Sequence, residues 1–287
     1  MAIILDGKKL ASDIMKNLQK RVDYIRTNLD CEVCLDVVQV GDDPASNIYI
    51  RNKEKACHEL GIKNHLYKLD EKISDTKFMI KLNEISSRNN DGILVQLPLP
   101  PQINKISVHI PFQKDVDGLT YMNSGLFYAG GNNYFTPCTP KGIIRLLKAY
   151  GVPLAGKHAV VVGRSQIVGK PISFLLLNEN CTVTMCHSYT ENLSEISRQA
   201  DILIVAVGKS KMITGEMIKP GAAIVDVGIN RVNGKVVGDV DFESVEPVAG
   251  WITPVPGGVG PMTICMLMEN TIESAERRYS IQTNDYN

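Results

Sequence analysis

The sequence predicts an α/β protein with two domains, an N-terminal parallel-sheet domain and a C-terminal domain of Rossmann type. Short apolar segments rich in β-branched residues alternate with helical patterns along most of the 287-residue chain. Such alternation is typical of parallel sheets whose strands are joined by helices. Residues 121–140 break this rhythm with Gly, Asn, Thr and Pro, and a second series of strands follows them. We therefore place the domain boundary between Asp117 and Thr139.

The elements of the first domain are read from periodicity and from turn residues. The N-terminal residues 1–14 continue into an amphipathic helical pattern, and the helix that follows the first predicted strand is closed by Gly61. Strands are predicted at 34–40, 64–69 and 91–99, and helices at 46–61 and 75–89.

The second domain opens with a predicted helix and continues with short apolar strands that end in Gly or His. The helix covers 140–151, and the strands cover 157–163, 181–187, 201–208 and 222–228. The predicted domains are 1–120 and 121–262. The final helical run, at 262–279, belongs to neither domain by pattern alone, and we expect 263–287 to pack back on the first domain.

Composition excludes several classes of protein. The chain has 31 basic and 31 acidic side chains, so nothing indicates nucleic-acid binding or a basic membrane surface. No apolar run reaches the roughly 18 residues that a membrane span needs, and we expect a cytoplasmic protein.

The chain has seven cysteines without the spacing of a disulfide framework, which fits reduced thiols. Cys31 and Cys34 form a C-x-x-C pair without a second pair or nearby His ligands. We interpret them as ordinary strand residues, and no metal is expected.

Residues 157–171, KHAVVVGRSQIVGKP, predict a strand, a tight turn and a helix that starts at Pro171. Glycines let a backbone approach a pyrophosphate, and the free N–H groups of a helix start attract its charge. The pattern departs from G-x-G-x-x-G, because Ser165 replaces the second glycine and Gly169 comes one residue late. A purely structural strand-to-helix turn therefore remains open.

The next strand favours NADP over NAD. It ends in His187 and Ser188, without the Asp or Glu that usually holds the ribose 2′-hydroxyl of NAD. Arg164 in the preceding turn adds a positive charge. A missing carboxylate, a hydroxyl and a guanidinium together suit a 2′-phosphate.

Four further segments carry unusual side chains. Tyr49 and Lys53 lie one helical turn apart, although the same spacing occurs on ordinary surface helices. Gln96 follows a buried-looking strand, at the end where open α/β sheets place ligands. The segment KDVDG, 114–118, taken by itself is better interpreted as an acidic surface turn. PVPGGVGP, 254–261, holds more Pro and Gly than a simple loop needs.

Together these segments resemble the bifunctional methylenetetrahydrofolate dehydrogenase/methenyltetrahydrofolate cyclohydrolases. The resemblance runs nearly end to end, through LDGKKLA, VGDDPASNIYIRNKEKACHELGI, DGILVQLPLP, KDVDGL, TPCTPKG, VVGRSQIVGKP, TVTMCHS, DVGINR and PVPGGVGPMT. Tyr189 and the polar tail after residue 279 are peripheral departures. The resemblance implies an N-terminal folate domain, a C-terminal NADP domain and a homodimer that acts on tetrahydrofolate derivatives in one-carbon metabolism.

The resemblance also implies site residues. The expected catalytic residues are Tyr49, Lys53, Gln96 and Asp117. The expected substrate-binding residues add Ser46, Val95, Leu97, Pro256, Gly257, Gly258, Val259 and Gly260, and the expected cofactor-binding residues are Gly163, Arg164, Ser165, Ser188 and Ile229.

These side chains suit the implied chemistry. The carboxylate of Asp117 can accept two parallel N–H groups of a pterin, and Tyr49 can stack on the p-aminobenzoyl ring. Lys53 is the strongest proton carrier for hydrolysis of the methenyl cation, and Gln96 can orient its amine. Two other readings are a different NADP-linked dehydrogenase, such as an amino-acid dehydrogenase, and an NADP-binding protein without catalysis.

Overall fold

A computed structural model describes residues 1–104 and 110–281, except for the side chain of residue 45. The chain divides into two compact units. The small-sheet unit consists of Asp13–Cys138 and the chain from Ile264 onward, and the large-sheet unit consists of Met1–Ser12 and Thr139–Thr263.

The first half of the chain contains most of the small-sheet unit. The elements in this half of the chain are β1 (Ile3–Ile4), which belongs to the large-sheet unit, α1 (Gly7–Leu29), β2 (Cys34–Val40), α2 (Pro44–Leu60), β3 (Lys63–Leu69), α3 (Asp75–Ser86), β4 (Gly92–Val95) and α4 (Tyr121–Tyr128). Three of these strands form a parallel sheet in the order β3-β2-β4. Strand β2 is buried along its whole length because it has a neighbour on each side.

The second half contains most of the large-sheet unit. Its elements are α5 (Cys138–Ala149), β5 (His158–Val162), α6 (Gly169–Asn178), β6 (Thr182–Cys186), α7 (Leu193–Ser197), β7 (Ile202–Val205), β8 (Ala223–Asp226), β9 (Asn230–Val232), β10 (Lys235–Val237), α8 (Phe242–Val245), β11 (Trp251–Ile252) and α9 (Val259–Tyr279). A six-stranded parallel sheet has the order β1-β11-β8-β7-β5-β6, and β9 pairs with β10 as an antiparallel hairpin.

The division into units differs from the predicted boundaries at two places. The first residues group with the large-sheet unit, because Ile3 and Ile4 pair in parallel with Trp251 and Ile252. Residues 121–138 group with the small-sheet unit, whereas the sequence placed them in the second domain. Strands of two residues carry no detectable periodicity, so the pairing of β1 with β11 was not visible in the sequence.

Apolar residues at alternate positions build the small-sheet core. Val38 and Val40 of β2 pack with Phe78 and Leu82 of α3, and all four side chains are nearly inaccessible to solvent. Burial of a side chain of this size contributes about 1.5–3 kcal/mol. This packing therefore fixes the position of the sheet and of the loops at its carboxyl edge.

Helix α2 has well-defined signals at both ends. The Asp43 carboxylate accepts the N–H of Ser46, and Pro44 occupies the first helical position. Gly61 ends the helix in the left-handed conformation, with φ of 69°. These caps fix the position and rotation of the helix that carries Tyr49 and Lys53.

Helix α4 lies in a stretch that the sequence analysis predicted to be an aperiodic linker. The Thr120 hydroxyl accepts the N–H of Asn123 and caps the helix. Asn123 is fully buried, and its amide donates to the Phe112 carbonyl and to the Asp115 carboxylate. The prediction was wrong because an eight-residue helix whose buried face includes an Asn shows no apolar period.

The structure differs from the sequence-based expectations at one helix start and at one hairpin. Helix α6 begins at Gly169 rather than at Pro171, which is tolerated because the first four N–H groups of a helix lack intrahelical partners. The hairpin of β9 and β10 turns at Asn233 and Gly234, both with positive φ, and it was not predicted. No helix in the described part of the chain is long and apolar enough to cross a membrane.

We predict that Asn123→Ala lowers the free energy of unfolding by about 2–3 kcal/mol, because it leaves buried partners of the amide unsatisfied. Chemical denaturation measures this loss. Ser124→Ala on the same helix is the control and changes stability by less than about 0.5 kcal/mol. Equal stability of Asn123→Ala and the wild type would contradict the structural role of this side chain.

Candidate active site

Lys53 and Gln96 form the centre of the candidate site in the small-sheet unit. The Lys53 amine donates to the Gln96 amide oxygen at 2.8 Å, and the Gln96 amide nitrogen donates to the Leu97 carbonyl at 2.6 Å. Lys53 lies in the middle of α2, and Gln96 follows the last residue of β4 directly. Two elements distant in sequence thus fix one amine.

The surroundings of Lys53 disfavour its charge. Loss of solvent lowers the pKa of Lys53, while the carboxylate of Asp117 and the thiols of Cys138 and Cys57 oppose this shift. An amine with a lowered pKa exchanges protons more readily near neutral pH. Sequence reasoning did not identify the two cysteines, because a buried thiol has no distinguishing local pattern.

Asp117 stands at the end of a loop that Asp115 holds in shape. The Asp115 carboxylate accepts the N–H of Thr120 at 2.8 Å and the Asn123 amide at 2.8 Å. Gly118 has φ of 67°, and a side chain there would collide with the Phe135 carbonyl. Asp117 is half-buried as a residue, and burial raises the pKa of its carboxyl to about 6 against the attraction of Lys53.

The other predicted residues of this unit lie on α2, at the end of β4 and just after it. Tyr49 is one helical turn before Lys53 and is partly exposed. Ser46 is buried, and its hydroxyl donates to Asp43 at 2.8 Å, so it also serves the start of α2. Val95 is the buried last residue of β4, and the Leu97 carbonyl receives the Gln96 amide.

The predicted residues 256–260 belong to the large-sheet unit and are described within it. The Gly258 N–H donates to the Pro254 carbonyl at 2.8 Å, and a Cβ on Gly258 would lie 2.7 Å from that oxygen. Gly257 has φ of 112° and follows the cis bond at Pro256. Gly258 is therefore required by packing, while Val259 and Gly260 form the first turn of α9.

The turn after β5 is tightly packed. A side chain on Gly163 would collide with the Ala206 carbonyl, and one on Gly169 would collide with the Gly163 carbonyl. The Ser165 hydroxyl accepts the N–H groups of Val168 and Gly169, both at 3.2 Å. Ser165 thus closes the turn that leads into α6. It satisfies two donors of the helix start.

Arg164 and Ser188 follow the carboxyl ends of two adjacent strands, β5 and β6. The Arg164 guanidinium lies 5.7 Å from the centre of the Tyr189 ring, at a distance typical of a cation–π contact. Ser188 and Tyr189 are exposed, and Tyr189 keeps 80% of its surface. A guanidinium and an exposed hydroxyl thus lie at this edge of the sheet.

Ile229 lies in a turn whose two flanking residues are hydrogen-bonded to buried carboxylates. Asp226 accepts the Gly228 N–H at 2.9 Å, and the Asn230 amide donates to Asp239 at 2.9 Å. Burial raises the pKa of Asp226 to about 6, although three backbone N–H groups oppose the shift. Sequence reasoning missed both acids, whose only signal was an Asp within two residues of a Gly at each position.

The strand order of the large sheet creates a switch point near the residues predicted to bind the cofactor. Along the chain β5 is followed by β6 on one side, and the next strand, β7, lies on the other side of β5. Open α/β sheets bind ligands outside the carboxyl ends at such a switch point. Gly163 packs closely against the Ala206 carbonyl, which follows β7. The turn after β5 therefore forms one wall of that crevice.

Comparisons with known proteins identify the family of the chain. A profile described as the tetrahydrofolate dehydrogenase/cyclohydrolase catalytic domain matches residues 5–117, and the NAD(P)-binding domain of the same family matches 137–279. The bifunctional protein FolD of Exiguobacterium sibiricum is 50% identical over 279 residues, which cover 96% of this chain and all of that protein.

Solved structures give the same result. The bifunctional FolD enzyme of Campylobacter jejuni has a TM-score of 0.94 and 47% identity, covering 97% of this chain and 100% of that chain. The Trypanosoma brucei enzyme, determined with NADP and an inhibitor, has a TM-score of 0.93 and 35% identity, covering 97% and 98%. The chain described here belongs to the tetrahydrofolate dehydrogenase/cyclohydrolase family.

Proposed function

We propose that the chain oxidises 5,10-methylenetetrahydrofolate to the 5,10-methenyl cation with NADP⁺ and then hydrolyses that cation to 10-formyltetrahydrofolate. Both reactions belong to one-carbon folate metabolism. Family membership supports the reaction pair and argues against an amino-acid dehydrogenase. The observation that carries the assignment of residues is the Lys53–Gln96 hydrogen bond, with Asp117 acting electrostatically on the same amine.

Lys53 is the proton carrier of the hydrolysis. Water attack on the methenyl carbon and opening of the ring require a proton to leave the water and another to reach a ring nitrogen. An amine whose pKa is lowered by desolvation can do both in turn. Gln96 accepts a hydrogen bond from the Lys53 amine, so it holds the nitrogen in one direction without adding a second charge.

Asp117 and Tyr49 bind the folate. The Asp117 carboxylate accepts the amino and ring N–H groups of the pterin, and each such charge-assisted bond contributes about 1.5–3 kcal/mol. A protonated Asp117 would lose part of this recognition, so substrate binding also favours its ionised form. Tyr49 stacks on the p-aminobenzoyl ring, which contributes about 0.5–1.5 kcal/mol.

The residues after β5 and β6 fit NADP. The exposed Arg164 guanidinium and the Ser188 hydroxyl can bind a 2′-phosphate, and Tyr189 keeps the guanidinium in place through its ring face. Ile229 contributes an exposed apolar side chain on a rigid turn. When bound, NADP⁺ supplies the acceptor for the hydride of the methylene bridge.

We further propose a homodimer in the cytoplasm. The described cysteines are all free thiols, which fits a reducing compartment. The dimer rests on the family resemblance. Sedimentation equilibrium of the purified chain measures its mass, and a mass of one chain at micromolar concentration would overturn the dimer.

Lys53→Met should abolish cyclohydrolase activity while the variant still binds folate, because Met keeps the shape and removes the proton carrier. Decay of the methenyl absorbance and formation of NADPH are followed together. Lys55→Met is the matched control, since its side chain is 77% exposed on the same helix. Methenyl hydrolysis within a few-fold of the wild type in Lys53→Met would remove Lys53 from this role.

Asp117→Asn should stabilise the protein at pH 7.5 and weaken folate binding. Burial raises the pKa of Asp117 from 3.8 to about 6, so its ionisation opposes folding as the pH rises through that interval. The penalty is complete above the folded pKa and amounts to about 3 kcal/mol at most. The gain should vanish near pH 4.

Denaturation midpoints between pH 4 and pH 8 measure the effect of Asp117→Asn, and the KM for folate should rise in both reactions. Asp13→Asn is the surface control, because that side chain is 55% exposed. A variant whose stability relative to the wild type is the same at pH 4 and pH 8 would contradict the environment assigned to Asp117.

Arg164→Ala should raise the KM for NADP at least tenfold and leave the KM for NAD nearly unchanged, because only NADP carries the 2′-phosphate. Tyr189→Ala should give a smaller rise of the same selectivity. Arg198→Ala is the control, since this exposed arginine donates to the Glu216 carbonyl outside the turn. Equal losses for NADP and NAD in Arg164→Ala would refute the assignment.

A further inference from the structure

Three potential metal ligands from two strands meet at the amino edge of the small sheet. They are the Cys34 thiol, the Asp36 carboxylate and the His65 imidazole, and their ligand atoms lie within 4.8 Å of one another. We propose that Cys34, Asp36 and His65 bind one Zn²⁺ ion, with water as the fourth ligand. This proposal is independent of the folate reaction, because none of the three residues belongs to the candidate active site.

The strand register brings these ligands together. Cys34 and Asp36 are two residues apart on β2, so their side chains point to the same face of the sheet. His65 on β3 is the direct partner of Asp36 in the parallel pairing. The sheet therefore holds all three side chains on one face, and no loop has to rearrange to assemble the site.

The distances between ligand atoms are close to those of a tetrahedral zinc site. Zinc bonds of about 2.3 Å to sulfur and about 2.0–2.1 Å to nitrogen or oxygen place sulfur about 3.6 Å from each lighter ligand. The Cys34 sulfur lies 3.7 Å from His65 Nδ1 and 3.7 Å from Asp36 Oδ1. His65 Nδ1 and Asp36 Oδ1 are 2.8 Å apart, and they need to separate by about 0.5 Å.

A buried amide fixes the orientation of the carboxylate. The Asn90 side chain is 1% exposed and donates to Asp36 Oδ2 at 2.7 Å and to the Ile85 carbonyl at 2.8 Å. This bond turns Asp36 Oδ1 toward the sulfur and the imidazole. Hydrogen bonds that orient metal ligands in this way commonly raise metal affinity tenfold or more.

Exposure of the ligands leaves a path for the ion. Cys34 and Asp36 are buried, whereas the His65 side chain is 45% exposed. A cation can enter past the imidazole, and a water molecule can complete the tetrahedron from the same side. Cysteine sulfur, histidine nitrogen and carboxylate oxygen together favour Zn²⁺ over Mg²⁺ and Ca²⁺, which prefer oxygen ligands alone.

The local charge also favours a cation. Two carboxylates lie next to Cys34, since Asp36 Oδ1 is 3.7 Å from its sulfur and Asp91 Oδ2 accepts its backbone N–H at 2.8 Å. Their negative charge attracts a divalent ion, and zinc binding displaces the thiol proton. Ions bound here connect β2 to β3, the edge strand of the sheet.

Cobalt(II) and zinc titrations of the full-length, reduced protein test this site. We expect one Co²⁺ per chain, with the near-ultraviolet absorption of a thiolate-to-cobalt charge transfer, and stoichiometric displacement by Zn²⁺. Cys34→Ser should lose the charge-transfer absorption. His65→Ala changes an exposed side chain, so it should fold normally and bind Zn²⁺ at least tenfold more weakly, while its dehydrogenase activity stays at the wild-type level.

Two matched controls separate this cluster from other ligands. His58→Ala removes another exposed histidine, and Cys31→Ser removes the other cysteine of the C-x-x-C pair. Both should bind Zn²⁺ like the wild type. Absence of binding at micromolar metal, cobalt binding without the charge-transfer absorption, or equal affinity in His65→Ala and the wild type would each overturn the proposal.

Discussion

The hydrogen bond between the Lys53 amine and the Gln96 amide imposes the strictest constraint on the small-sheet unit. An amine that is partly removed from water keeps a usable position only if a neutral acceptor orients it and an anion stands close enough to offset its desolvation. Gln96 satisfies the first condition and Asp117 the second. The caps of α2 and the pairing of β4 with β2 place these groups, so the local folding signals and the chemistry depend on one another.

Two carboxylates of one loop have opposite tasks because their surroundings differ. Asp115 is buried, and it accepts N–H groups from the loop and from Asn123, which makes it a structural anion. Asp117, two residues later, is the one whose pKa burial raises to about 6. The carboxylate that shapes the loop thus stands two residues before the one that acts electrostatically on Lys53. The large-sheet unit uses Asp239 similarly, since its carboxylate accepts the N–H groups of Val207 and Gly208.

Much of the fold was predictable because buried parallel strands leave continuous apolar runs. The predicted strand at 34–40 coincides with β2, and the helix that carries Lys53 was recognised from its period and from Gly61. Two-residue strands and α4 were not predicted, because tertiary contacts of single residues such as Asn123 hold them in place. Within the site, the sequence indicated Lys53 and Gln96 by their positions, whereas the thiol of Cys138 near Asp117 depends on long-range packing.

Dependence on long-range packing also explains why the cluster of Cys34, Asp36 and His65 at the amino edge of the small sheet was not predicted from the sequence. Cys34 belongs to a C-x-x-C pair that has no histidine nearby along the chain, and the reading as ordinary strand residues followed from that distance. Parallel pairing removes the distance, because the start of each strand lies beside the start of its neighbour. Active-site residues collect at the carboxyl ends of parallel strands, where the connecting loops reach a ligand. Strand starts such as Cys34 and Asp36 are free of that demand, so a second set of polar side chains can occupy the opposite edge without disturbing Lys53.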